Sequence, residues 1–137
     1  MVGLQSNETK ARLQWSLFAL RVGIFIVMLL WTLDKFVNPG HSAAVFDKFY
    51  FISGLGETAF MVIGIIQLLI VIGFVIGFKK RITYGLVLIF HGISTLASFP
   101  VYLDPFNNLL FFAAWPMLAA CLALYLLRDE DKKLVLK

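Results

Sequence analysis

The sequence predicts an all-α integral membrane protein: a four-helix bundle with an amphipathic helix on the outer surface between helices one and two. Three observations lead there. Of 137 residues, 61% are hydrophobic and only 15% charged, against about 45–50% apolar and about 25% charged in ordinary soluble domains. Mean hydropathy is +0.89. The apolar residues fall in four runs, each near the roughly 20 residues that a helix needs to cross a hydrocarbon core of about 30 Å. Finally, most basic residues lie at alternate ends of those runs. None of the runs shows the apolar/polar alternation of a barrel strand, and no repeat divides the chain, which reads as one domain.

The first span covers about 13–33. It follows Lys10 and Arg12, as a signal peptide would, but it is too long for an h-region and ends in WTLDKF without a small-residue cleavage pattern, so it is expected to stay attached. The connection from Asn38 to Glu57 opens with the break Asn38-Pro39-Gly40. Ser42 can then cap a helix with Val45, Phe46, Phe49 and Ile52 opposite Asp47 and Lys48. This reads as an amphipathic helix lying on the bilayer surface, with an ordinary ordered loop as the alternative. The second span, about 58–78, carries Gly73 and Gly77 four residues apart, a face suited to close contact. The third covers about 82–99. The two prolines of the loop Pro100 to Asn108 keep it turned or extended. In the fourth span, about 109–127, Pro116 is expected to kink the helix beside Trp115 and open space there.

Charge sets the orientation. Lys10 and Arg12, the turn Lys79-Lys80-Arg81, and the tail with Arg128, Lys132, Lys133 and Lys137 share one side; only Lys35 and Lys48 lie on the other. By the positive-inside rule both termini are cytoplasmic, in the plasma (inner) membrane. The net charge of +4 is thereby a topology signal, and no nucleic acid partner is expected.

Polar residues inside apolar spans are the informative ones, because each costs energy where it sits. Arg21 lies near the centre of the first span, Gln67 near that of the second and His91 near that of the third. At 100° per residue, Gln14, Arg21, Thr32 and Lys35 form one stripe, and Tyr84, His91, Ser94, Thr95 and Ser98 another. Such stripes face a bundle interior. The expected outcome is a midplane pocket lined by Arg21, Gln67 and His91. Ser, Thr, Gln and His also serve simply to tie helices together, but a permanent guanidinium charge is an expensive way to do so, and Arg21 calls for a ligand, a buried acid or a partner subunit. A second polar cluster is expected at the outer surface from Asp34, Lys35, Glu57 and Asp104, with His41 nearby.

Several chemistries are set aside. The one cysteine, Cys121, excludes an internal disulfide and a CxxC relay. His41 and His91 lie at different depths, unlike the ligands of a bis-histidine haem. No HExxH or carboxylate-histidine cluster suggests a metal, and no GxSxG, P-loop or dinucleotide motif is present. No catalytic residue can be assigned; any reaction would use a bound cofactor such as a quinone, or a partner's active site.

Two segments resemble a known family. LRVGIFIVMLLWTLDKFVNP places a lysine fourteen residues after an arginine and then a proline, and GIIQLLIVIGFVIGFKKR sets a central amide between glycines before a basic turn. Together, over about Leu20 to Arg81, they resemble the DoxX-like family of small four-helix membrane proteins. On that resemblance Arg21 and Lys35 occupy basic family positions, and Gln67 stands where members carry Glu or Gln. Some members are similar to membrane subunits of thiosulfate:quinone oxidoreductase; others accompany thiol-redox, oxidative-stress or metal-handling proteins. The resemblance implies an accessory subunit of a redox membrane complex, with a quinone or lipid in the pocket and a larger complex or a homo-oligomer as partner. A non-catalytic scaffold docking a larger membrane enzyme is the alternative. A small transporter fits less well, since four helices with one central charge leave little room for alternating access.

Overall fold

The computed structural model describes residues 6–136, and among these every regular element is helical. Helix α1 runs Asn7–Val37, well beyond the apolar run. Ser6 caps it, its hydroxyl accepting from the Thr9 N–H at 3.1 Å, and the Glu8–Arg12 ion pair supports its first turns. Local helix chemistry thus carries the element past the point where hydropathy stops. Its 31 residues span about 46 Å, more than a bilayer core of about 30 Å.

Helix α2, Pro39–Tyr50, begins directly after α1. Pro39 occupies its first turn, where a missing N–H costs nothing. Ser42 is therefore not the cap expected for it; it lies one turn in and donates its hydroxyl to Asp34 Oδ2 at 3.1 Å. The helix ends at Phe51, in the left-handed region with φ 57°, so Ile52 lies outside it.

Helix α3 covers Glu57–Val75 and α4 covers Lys80–Ala97, joined by a tight turn in which Gly77 takes φ 73°. A single helical turn, α5 (Phe99–Tyr102), and a 3-10 turn, Pro105–Asn107, follow. The last long element is not one kinked helix. It enters as a 3-10 segment, Leu109–Ala113, and becomes α-helix α6 at Ala114–Leu126. Pro116 thus stands in the first α-turn, where no donor is lost, instead of bending a helix in its middle.

Helix α1 packs on α3 and α6, and α4 packs on α3 and α6. The α1–α3 contact is antiparallel and close: a Cβ on Gly64 would come within 2.7 Å of the Phe36 ring. Leu17, Ile24, Phe74, Tyr84, Val87, Cys121 and Leu124 form the buried core, nearer the end that holds the Lys79–Arg81 turn. Helix α2 closes the opposite end, Phe46 meeting Phe60 edge-on at 5.2 Å.

Among the described residues three elements are long and apolar enough to cross a membrane: Asn7–Val37, Glu57–Val75 and Leu109–Leu126. Helix α4 is of similar length but opens with Lys80 and Arg81 and carries Thr83, Tyr84, His91, Ser94 and Thr95 along its length. Large apolar side chains cover the outside, among them Leu30, Leu69, Ile89, Leu110 and Leu126, an exposure that suits a lipid surround.

Candidate functional site

Arg21 does not line a midplane pocket. It is 1% exposed, and its Nη1 donates to Asp131 Oδ1 at 2.7 Å. Nη2 donates to the carbonyls of Lys133 and, at 3.2 Å, of Leu134. Its Nε is buried without a hydrogen-bond partner among the described residues. Asp131, 0% exposed, accepts at Oδ2 from the Tyr84 hydroxyl at 2.6 Å. Around this pair the C-terminal tail is held by side chains of α1 and α4 and by a backbone bond just past the end of α3. Gln14 of α1 donates to the Glu130 carbonyl at 2.9 Å and accepts from the Lys132 N–H at 3.2 Å. Lys80 of α4 donates to the carbonyls of Asp131 and of Arg128, the latter at 3.2 Å. The Leu136 N–H meets the Ile76 carbonyl beyond α3 at 2.8 Å. Burial of Lys80 lowers its pKa from the ordinary lysine value, with the Asp131 carboxylate pulling the other way.

The separation of Arg21 from Gln67 has a geometric cause. Antiparallel packing that sets Phe36 against Gly64 puts Gln67 level with about Leu33, some 12 residues or roughly 18 Å along α1 from Arg21. Arg21 is central in the apolar run but stands at the basic end of the assembled helices, because α1 overhangs its neighbours.

Gln67 and His91 both line a cavity of about 480 Å³ bounded by α1, α2, α3, α4, the 3-10 segment and the start of α6. Phe46, Phe49, Met28 and Met117 give it apolar walls; Thr32, Lys35, Tyr50, Ser94, Thr95 and Ser98 add polar groups. Most hydroxyls there are satisfied locally. Thr32 donates to the Met28 carbonyl at 2.7 Å, Thr95 to that of His91 at 2.7 Å and Ser98 to that of Ser94 at 2.9 Å; Tyr50 and Ser94 share a hydrogen bond of 2.8 Å. His91 Nε2 lies 3.0 Å from the Ala114 carbonyl. Since a carbonyl only accepts, Nε2 carries the proton and Nδ1 of the neutral ring remains an acceptor. Among the described residues, the Gln67 amide makes no hydrogen bond, leaving both a donor and an acceptor open to the cavity.

Lys35, expected at the outer surface, is 7% exposed and belongs to the cavity. Its Nζ reaches the Trp31 carbonyl at 3.4 Å and lies 5.8 Å from the centre of the Phe46 ring. The other members of the expected outer cluster disperse. Asp34 binds His41 Nδ1 at 2.6 Å and Ser42, Asp104 holds the Asn107 amide at 2.9 and 3.1 Å within its own turn, and Glu57 stands exposed in the first turn of α3. Successive residues of a helix point about 100° apart, which sends Asp34 and Lys35 to different surroundings.

Two residues escaped sequence reasoning. Asp131 gave no signal, since it lies in the mixed-charge run RDEDKK, which reads as a solvated tail. Tyr50 sits in a segment read chiefly for its apolar face. Lys35 carried a signal, its place in the stripe of Arg21 and Thr32, that outweighs its nearness to the surface.

No family model, no curated protein and no solved structure matches the chain.

Proposed function

We propose that this chain is a DoxX-like integral membrane accessory subunit of a redox, quinone-linked membrane complex, and that its cavity receives the headgroup of a quinone or lipid. The observation that carries this reading is the cavity itself: about 480 Å³, within the range of about 300–1,000 Å³ typical of small-molecule sites, apolar in its walls and with few polar groups. In this reading α1, α3, α4 and α6 form a four-helix bundle across the plasma (inner) membrane. Helix α4 crosses as the fourth span because its polar residues face inward: Tyr84 and Thr95 are buried and His91 and Ser94 line the cavity. Helix α2 lies at the outer interface as an amphipathic cover, Val45, Phe46 and Phe49 toward the cavity and Asp47 and Lys48 exposed. The basic turn Lys79–Arg81 and the tail share one end, through Lys80, which supports cytoplasmic termini.

The residues present fit a quinone. The Gln67 amide and the Lys35 ammonium can donate to ring oxygens, and the aromatic rings of Phe46 and Phe49 offer flat apolar contact. A bound quinone supplies two-electron chemistry; the chain binds and orients it, excludes water and leaves electron delivery to a partner subunit. Arg21 has no part in this, being committed to the tail.

Extraction in native nanodiscs from the source membrane tests the reading. Quinone retained with the purified chain, together with a co-purifying larger membrane protein, is the expected result. A chain that retains no quinone yet co-purifies in fixed ratio with such a partner would be a scaffold, and one that retains neither would contradict both.

A further inference from the structure

Among the described residues Lys35 is a buried cation without a salt-bridged anion, Asp34 acting on it only from beyond contact distance. The residue is 7% exposed, its ammonium's hydrogen bond to the Trp31 carbonyl is long at 3.4 Å, and among the described residues no carboxylate lies within 4.0 Å of it. Its sequence neighbour Asp34 is engaged elsewhere, by His41 and Ser42. The contrast with Arg21 is direct. That buried cation is matched by a carboxylate at 2.7 Å and by tail carbonyls, so the same chain neutralises one buried charge completely and leaves the other facing a cavity. A buried ammonium is costly unless a counter-charge or strong acceptor completes it.

The cavity also has a side opening with an apolar rim. Among its lining residues Val27 and Trp31 of α1, Ile93 of α4, and Leu110 and Phe111 are exposed on the molecular surface. An occupant can therefore place a polar head inside and pass a hydrocarbon tail outward between these side chains.

Resting on the reading of this cavity as an amphiphile site, we propose that among single-chain lipids it selects an anionic one, a long-chain carboxylate whose head pairs with Lys35. One lysine matches one negative charge, which favours a carboxylate over a doubly charged phosphate monoester. Gln67 donates to the second carboxylate oxygen, while Met28, Phe49 and Met117 contact the first part of the chain. The volume, about 480 Å³, accommodates a head and the start of one chain, and the two-chain body of a phospholipid does not fit within it.

Native mass spectrometry of the full chain released from neutral detergent micelles, titrated with palmitate or with methyl palmitate, tests the proposal. The expected result is saturable uptake of palmitate, with the ester bound about tenfold or more weaker, the scale of losing a charge-assisted hydrogen bond. Lys35→Met should abolish that discrimination, and Lys35→Arg, which keeps the charge, should retain it; thermal unfolding of both variants reports their folding. Equal binding of acid and ester, or discrimination undiminished in a folded Lys35→Met, overturns the proposal. Decylubiquinone separates this from the broader reading. If it binds saturably while acid and ester are not distinguished, the anionic assignment falls and the amphiphile site stands. If neither palmitate nor decylubiquinone binds, both fall.

Discussion

A guanidinium that is 1% exposed needs an anion held as firmly as itself, and Asp131 supplies it from 110 positions along the chain. Removing one partner of such a pair leaves the other buried and uncompensated, at a cost of about 3–5 kcal/mol, more than either charge loses by being replaced together with its partner. Asp131→Ala is therefore expected to destabilise the protein by that amount, followed as unfolding in detergent by tryptophan fluorescence, with the double variant Arg21→Met/Asp131→Leu less destabilised than the single one. Tyr84→Phe, which removes the 2.6 Å bond to Oδ2, should cost about 1.5–3 kcal/mol. Wild-type stability in Asp131→Ala would contradict the pairing. An arginine in an apolar run announces that it needs a partner. Its identity was not legible, because Asp129, Glu130 and Asp131 lie side by side in a tail whose composition is that of a solvated segment. Gln67 and His91, read at similar levels in the second and third apolar runs, both line the one cavity.

At the scale of elements, the tail is a packed structural piece, not an appendage. Gly77 adopts φ 73°, and a Cβ there would come within 2.7 Å of Val135. Gly77→Val combines left-handed strain of about 1–2 kcal/mol with a direct clash, and is expected to lift the tail off the end of α3. Trypsin should then cut after Lys132 and Lys133 markedly faster than in the wild-type chain, where Arg21 holds the Lys133 carbonyl; an unchanged cleavage rate would contradict the packing. Elements were readable from hydropathy and spacing to the extent that these govern them. The helix expected between Asn38 and Glu57 is present as α2, but its start is set by Pro39 and not by Ser42. The ends of α1 depend on Ser6 and on the Asp34–Asn38 bond, local interactions that a hydropathy run does not report. The 3-10 entry to α6, Leu109–Ala113, was not legible in hydropathy, and Pro116, read as a kink, stands instead in the first α-turn.

For the whole molecule, length overhang decides which residues share a level. Centring α1 on its apolar run brought Arg21 beside Gln67; packing Phe36 against Gly64 brings Lys35 and Thr32 there instead. The same packing gathers the basic turn and the tail at one end and α2 at the other. Cysteines introduced at Asn107 and at Lys132 should therefore react with a membrane-impermeant maleimide from opposite sides of intact cells, Asn107→Cys from outside and Lys132→Cys only after permeabilisation, while native Cys121, buried in the core, stays silent. Labelling of both from the same side would contradict the membrane reading. The most direct test of the cavity as the functional site compares two variants for the quinone retained after native nanodisc extraction. Gln67→Leu/His91→Leu alters the cavity, and Asp131→Asn alters only the anchored tail. A several-fold loss of quinone in the cavity variant, with wild-type content in a folded Asp131→Asn, is the predicted result; the reverse pattern, or no quinone in the wild-type chain, would contradict it.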